Sequence, residues 1–169
     1  NKLTKWSMRL KEKRRRFIIT SGGGPGIMEA ANRGAAEANG IAIGLNITLP
    51  FEQSGNKWIS KDLSLYFHYF FMRKFWFLYL AKALVVFPGG FGTLDELMEL
   101  LTLIQTQKIR KKVPIVIYDG AFWKKVINFD HLIKAGTISE EDMDLFYFAD
   151  TIDDAYNYLT KEIVKAHLQ

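Results

Sequence analysis

A chain of 169 residues is long enough for one domain with a full hydrophobic core and short for two ordinary ones. With 49% hydrophobic and 24% charged residues it has the balance of a folded globular protein, not of a disordered one. It contains no cysteine, which excludes disulfides, thiolate metal sites and cysteine nucleophiles and fits a reducing compartment such as the cytoplasm.

The net charge of +5 is unevenly placed. Eight Lys or Arg against Glu12 give residues 1–16 a net of +7 and leave −2 for the rest of the chain. The Lys-Glu-Lys-Arg-Arg-Arg run at 11–16 can touch nucleic acid or an anionic lipid surface, but it reads first as a solvated helix end leading into a strand. No signal-peptide pattern precedes that helix. Residues 63–87 are apolar and long enough to span a bilayer. Arg73 and Lys74 sit in their middle, however, with His68 and Lys82 to either side, and each mid-bilayer cation costs about 2.5–3.5 kcal/mol. The stretch is expected to be a buried helix followed by a buried strand, with no membrane role.

In chain order, residues 2–14 predict an amphipathic helix with Leu3, Trp6 and Leu10 on one face. Residues 17–20 form a short apolar run followed at once by Ser21-Gly22-Gly23-Gly24-Pro25-Gly26. A helix is expected over 27–39 with Gly40 as its stop, then a strand over 41–45 and a polar loop over 46–62. An aromatic-rich helix is predicted over 66–82, a buried strand over 83–87, a glycine turn over 88–92 and a helix over 93–107. The remainder reads as a strand over 113–118, a helix over 122–135 and a helix start at Ser139-x-x-Asp142. A short strand over 146–148 and a closing helix over 152–166 complete it. Short apolar strands alternating with helices imply an α/β class, a doubly wound parallel sheet of Rossmann-like type with helices on both faces. No repeat or linker interrupts the pattern, so residues 1–169 are expected to form a single domain.

Both glycine turns follow a strand and open a helix. In a doubly wound sheet such turns lie at the carboxyl edge of the strands, where ligands bind. Glycines admit an anion close to the backbone, and a helix N-terminus offers unpaired N–H groups with a favourable dipole. The dinucleotide fingerprint G-x-G-x-x-G fails, because Ile27 and Asp95 stand where its third glycine belongs, and neither turn fits the ATP-binding G-x-x-x-x-G-K-[ST] pattern. A nicotinamide dehydrogenase and a P-loop NTPase are therefore disfavoured.

Gly22-Gly23-Gly24-Pro25-Gly26-Ile27-Met28-Glu29-Ala30-Ala31-Asn32, the Arg73-Lys74 pair and Pro88-Gly89-Gly90-Phe91-Gly92-Thr93-Leu94-Asp95-Glu96 together resemble the LONELY GUY family. The resemblance covers roughly residues 18–158. Its sharpest part is the nine-residue PGGxGTxxE signature preceded by Arg-Lys. It implies a phosphoribohydrolase that releases free base from cytokinin riboside 5′-monophosphates or AMP, needs no cofactor, and works as a homodimer or larger assembly. Members open with a further strand and glycine-containing turn ahead of the first helix. That unit is missing from these residues and is expected to supply one wall of the nucleotide pocket.

The resemblance makes Arg73 and Glu96 the catalytic pair. Glu96 would stabilise an oxocarbenium-like ribosyl centre and direct the attacking water, and Arg73 would serve the leaving purine and the same centre. Gly89, Gly90, Gly92 and Thr93 would hold the 5′-phosphate, and Lys74 the nucleotide. Gly22, Gly23, Gly24, Met28 and Glu52 would contact the nucleotide from the first turn and the loop beyond it. Each has a plainer reading. Thr93-x-x-Glu96 has the spacing of a capping box, with Thr93 as N-cap. Arg73 and Lys74 can snorkel to solvent, Met28 can be core, and Glu99, one turn after Glu96 on the same face, can assist it but reads first as a solvated helix residue. The aromatic stripe reads as core and subunit interface. His68 and His131 are isolated, so no metal site is supported.

Two other functions compete. A non-catalytic nucleotide sensor or single-strand nucleic-acid-binding module would use the basic run at 11–16, but has no need of both Arg73 and Glu96. Lysine decarboxylation, a label often attached to such sequences, calls for pyridoxal phosphate on a Schiff-base lysine, and no lysine here stands in an evident cofactor context.

Overall fold

A computed structural model describes residues 1–10, 17–50 and 54–168, which form two compact units, Asn1–Leu80 and Ala81–Gln169. Both have the parallel α/β build of the Rossmann-like class.

The first unit comprises α1 (Lys2–Arg9), β1 (Ile19–Ser21), α2 (Ile27–Ala36), β2 (Ala42–Ile47), β3 (Ser64–Phe67) and α3 (Phe70–Leu80). Its strands pair in parallel in the order β1-β2-β3, with Ile19 opposite Ala42 and Gly44 opposite Ser64. Because parallel neighbours share a direction, the glycine turn after β1 and the residues after β2 emerge at the same sheet edge. The core is small and partly polar. Ala35, Ala42 and Leu45 are buried together with Thr4, Ser7, Ser21, Asn32 and Asn46.

Three expectations need adjustment here. On α1 it is Thr4 and Ser7 that are buried, while Leu3, Trp6 and Leu10 are half-buried. Ser7 explains the rotation, since its hydroxyl donates to Phe17 O (2.9 Å) and accepts from Phe17 N (2.8 Å), and Trp6 stacks on the Phe17 ring. The stop of α2 is carried by Asn39, which takes a left-handed φ of 56°, with Gly40 N–H bonding back to Ala35 O. The aromatic helix starts at Phe70, and Ser64–Phe67, of which the sequence predicts Tyr66 and Phe67 to open that helix, is a strand.

That helix is not core. Leu78 is its buried residue, while Phe70, Phe71, Phe75, Trp76 and Tyr79 are exposed. Phe75 packs on Trp76 edge to face and stacks on Tyr79, so the rings cover one another along the helix. The stripe is an exposed aromatic face, and the core half of its expected role is withdrawn.

The second unit runs β4 (Leu84–Val86), α4 (Phe91–Gln105), β5 (Ile115–Tyr118), α5 (Gly120–Val126), α6 (Phe129–Lys134), a 3-10 turn (Glu141–Leu145), β6 (Tyr147–Ala149) and α7 (Ile152–His167). Its strands are again parallel, in the order β4-β5-β6. The continuous apolar run Ile115-Val116-Ile117 is fully buried, as expected of a strand covered on both faces. Leu97 and Leu100 of α4, Trp123 of α5 and Leu159 of α7 complete this core. The single helix expected over 122–135 is two, because Asn128 stops the first and caps the second by accepting from His131 N (2.9 Å). At Ser139 the helix-start motif is half realised. Asp142 accepts the Ser139 N–H (2.8 Å) and also the Gln105 amide (2.7 Å), and the two bonds hold its carboxyl below the usual carboxylate range. Among the described residues no helix is long and apolar enough to cross a membrane.

Candidate functional site

In the first unit the site is built on the turn after β1. Gly23 stands at φ +75°, a conformation that L side chains rarely adopt, and the place of a Cβ there is already filled by Asn46 Oδ1. Asn46 is buried and cannot swing aside freely. Its amide nitrogen is held by Ser64 Oγ (2.9 Å), Leu65 O (3.3 Å) and Gly44 O (3.4 Å). Gly23→Ala is therefore expected to cost about 2–4 kcal/mol, from left-handed strain and from displacing a buried amide. Urea denaturation measures it, and an unchanged midpoint would show that Asn46 yields.

Two further polar side chains brace the same turn. Ser21 Oγ donates to Asn32 Oδ1 (2.6 Å) and accepts from Gly23 N (3.1 Å), and Asn32 Nδ2 reaches Ile43 O (3.2 Å). Asn32 is fully buried, on the face of α2 that packs against the sheet. Sequence reading missed both residues. The available signal was a polar amide at a core position of an amphipathic helix, which must find partners to be tolerated there.

Gly22, Gly24, Met28, Asn46, Ile47 and Arg73 line one cavity of about 140 Å³. Four residues predicted for the site, namely Gly22, Gly24, Met28 and Arg73, are thus brought together from the first turn, α2 and α3. Small-molecule sites commonly occupy about 300–1,000 Å³, so this cavity admits one moiety of a nucleotide and not the whole. Arg73 reaches it from a half-buried position, its guanidinium lying 5.3 Å from the Phe70 ring centre and 5.9 Å from that of Phe77. Two aromatic faces one turn away on either side hold the cation by charge–quadrupole attraction. Arg73 Nε is sequestered from solvent, while the residue as a whole is half-buried. Lys74 is half-buried and is not among the residues lining this cavity, in keeping with adjacent helical positions pointing about 100° apart. Glu52 lies outside the described residues, as does the basic run at 11–16.

In the second unit the Pro88–Gly92 turn opens α4. Gly90 is the N-cap, a residue with no side chain to cap with, and the first turn of the helix contains no acid. Thr93 N and Leu94 N return to Gly90 O (3.1 and 3.0 Å). The capping box is thereby overturned. Thr93 lies inside the helix and not at its start, because the glycine-rich turn lets the chain wind up two residues earlier. What remains is a 15-residue helix whose positive end is uncompensated by any acid of its own first turn. The turn is also open, since a Cβ on Gly90 or Gly92 would meet nothing within 4 Å. Gly89 differs, for the Thr93 hydroxyl occupies the place where its side chain would stand.

Glu96 falls in the second turn of α4, half-buried, with Oε2 withdrawn from solvent. Glu99, one turn further on, also has Oε2 buried, which corrects its reading as a solvated residue.

The family model described as "Possible lysine decarboxylase" matches residues 28–159. A probable cytokinin riboside 5′-monophosphate phosphoribohydrolase of Oryza sativa subsp. japonica is 25% identical over 146 residues, covering 85% of this chain and 62% of that protein. A second rice protein of the same description is 26% identical over 152 residues, covering 89% of this chain and 61% of its own length. A cytokinin riboside 5′-monophosphate phosphoribohydrolase of Arabidopsis thaliana is 37% identical over 59 residues, 35% of this chain and 27% of that one. The chain spans about three fifths of the length of the two rice relatives.

Proposed function

We propose, from the premise that the chain belongs to the LONELY GUY family covered by the possible lysine decarboxylase model, that it hydrolyses the N-glycosidic bond of purine nucleoside 5′-monophosphates. The products are free base and ribose 5-phosphate. The observation that carries this reading is the start of α4, a glycine-capped helix N-terminus with no acid in its first turn behind an open glycine turn, with a carboxylate in the helix's second turn. The phosphate takes the amides of Gly89, Gly90 and Gly92 and the hydroxyl of Thr93, where the helix dipole favours negative charge. Glu96 stands six residues from Gly90, about 9 Å along the axis. A ribose lying over the first turns of α4 brings its anomeric carbon toward that carboxylate.

The chemistry then follows from charge. As the bond from C1′ to the base nitrogen lengthens, its electron pair leaves with the base and the sugar becomes oxocarbenium-like. Glu96 stabilises that cation and accepts a proton from the attacking water, whose oxygen bonds to C1′; the departing base takes up one proton from solvent, and Glu96 returns its proton to water to regenerate the carboxylate. Arg73, assigned to the leaving purine and the ribosyl centre, offsets the charge that collects on the base. Gly22, Gly23, Gly24, Met28, Glu52 and Lys74 are assigned to the nucleotide. Residues 1–169 act as one nucleotide-binding domain in the cytoplasm. The exposed aromatic face of α3 fits a homodimer interface, since contiguous apolar surface of this kind marks an association site. The relatives' printed names support the substrate class; the decarboxylase wording has no counterpart in them.

The dependence on the 5′-phosphate tests this reading. AMP is expected to be turned over and adenosine to be turned over at least about a hundredfold less well, because remote phosphate binding is what places the sugar. Equal rates on the two would remove the glycine turn from the account. Salt-steep binding of single-stranded DNA without turnover of either would instead favour a nucleic-acid-binding module.

A further inference from the structure

The braced turn of the first unit has one more member, which neither the family signature nor the reading above assigns. Asn56 lies in the loop after β2, yet four of its hydrogen bonds go to the turn after β1 and to Asn32 behind it. Its side-chain Nδ2 donates to Gly23 O (3.1 Å), Gly24 O (3.2 Å) and Asn32 Oδ1 (2.9 Å). Its backbone N–H also donates to Gly23 O (2.8 Å), and its Oδ1 accepts from Trp58 N (3.1 Å). Trp58 is tied in turn to α2, its indole N–H donating to Glu29 Oε1 (3.2 Å).

These contacts fix more than position. In a trans peptide the carbonyl and the following N–H point in opposite directions. Holding Gly23 O on the Asn56 side therefore turns the Gly24 N–H to the other side of the same peptide. Gly23 N–H is committed to Ser21 Oγ, and Pro25 has none to offer. Gly24 is thus the middle residue of this turn whose amide direction is set by a neighbouring loop, and Gly24 lines the cavity that contains Arg73 and Met28.

We infer that Asn56 is a positioning residue for the nucleotide. By clamping the Gly23 and Gly24 carbonyls it presents the Gly24 N–H as a donor to the part of the substrate held in that cavity. The inference rests on the nucleotide reading proposed above and deepens it. Two carbonyls and the Asn32 oxygen converge on one amide nitrogen, so a donor is essential there and an acceptor is repelled. The nucleotide is held by this turn before and during bond cleavage alike, so the loss falls on binding rather than on the chemical step.

The test compares Asn56→Asp and Asn56→Ala with the unsubstituted protein in steady-state hydrolysis of AMP, with AMP binding followed by calorimetry. Aspartate keeps the shape of asparagine and replaces the donor by an acceptor facing three oxygens. The expected order is therefore Asp worse than Ala, with KM and Kd raised about tenfold or more and kcat within about threefold of the unsubstituted enzyme. A filler role predicts the opposite order, since Ala leaves the larger gap, and that order overturns the inference, as does a fall in kcat at constant KM. If Asn56→Asp does not fold, Ser21→Ala, which removes one oxygen from the same brace, is expected to raise KM by about three- to tenfold with kcat unchanged. An unchanged KM there also overturns it. Failure of the unsubstituted chain to bind or cleave AMP is a separate outcome, which sinks the nucleotide reading and this inference together.

Discussion

Replacing Glu96 by glutamine is expected to lower kcat for AMP by about 10³-fold or more while leaving KM within a few-fold. Each decade is about 1.36 kcal/mol of barrier, so the substitution asks one carboxylate for about 4 kcal/mol. That is a reasonable demand on an anion beside a developing ribosyl cation when it also takes the water's proton. Glutamine has nearly the same volume but neither the charge nor the basicity. The structure sharpens this experiment by removing the competing explanation. Had Thr93 and Glu96 formed a capping box, Glu96→Gln would have been ambiguous, since glutamine also serves at that position. With Gly90 as the N-cap and Thr93 inside α4, the substitution breaks no Thr93–Glu96 box. The folding midpoint is expected to move little. Full activity in the variant would leave Glu96 without a chemical role.

The second large effect is expected at Arg73. Arg73→Ala should lower kcat/KM by about 10²–10³-fold, through loss of the cation assigned to the departing base. Alanine also removes the contacts over Phe70 and Phe77, each of which contributes about 0.5–1 kcal/mol at a partly exposed site. Arg73→Lys separates the two contributions. Lysine keeps the charge but not the planar fork, and a point charge does not stack on two rings as a guanidinium does. It is expected to recover part of the loss, with kcat/KM between those of the alanine variant and the unsubstituted protein. If lysine and alanine are equally active and both close to the unsubstituted enzyme, Arg73 is a packing residue and the assignment fails.

Much of the fold was legible because strands and helices alternate with clear punctuation. Ile115-Val116-Ile117 and the closing helix from Ile152 stand where the apolar runs put them, and a glycine turn does precede α4, though the helix begins inside it at Phe91. Thr151 caps the closing helix by accepting from Asp154 N (3.2 Å). β3 was missed for a physical reason. Residues 63–71 run apolar and aromatic without a glycine or proline between strand and helix, and aromatic residues suit a pleated sheet as well as a helix face. Composition alone does not divide such a run; pairing with β2 does. The break at Asn128 was visible in principle, as a cap residue inside a helical pattern, but continuous amphipathicity on both sides concealed it.

The candidate site was legible in its signature and not in its support. The glycine turns, Arg73 and Glu96 sit in contiguous motifs. Asn32, Asn46 and Asn56 are separated by 14 and 10 residues, in a helix, a strand and a loop, and only the parallel pairing of β1 with β2 brings them to one turn. No local spacing encodes that. The start of α4 shows the converse error, where a local spacing rule suggested a cap that the glycines before it displaced.

The most direct test of the central claim is an analysis of all products formed from AMP by the unsubstituted chain. Adenine and ribose 5-phosphate are expected in equal amounts, with no inorganic phosphate and no adenosine. Adenosine with free phosphate would mean that a different bond is broken, and recovery of AMP intact would contradict the account altogether.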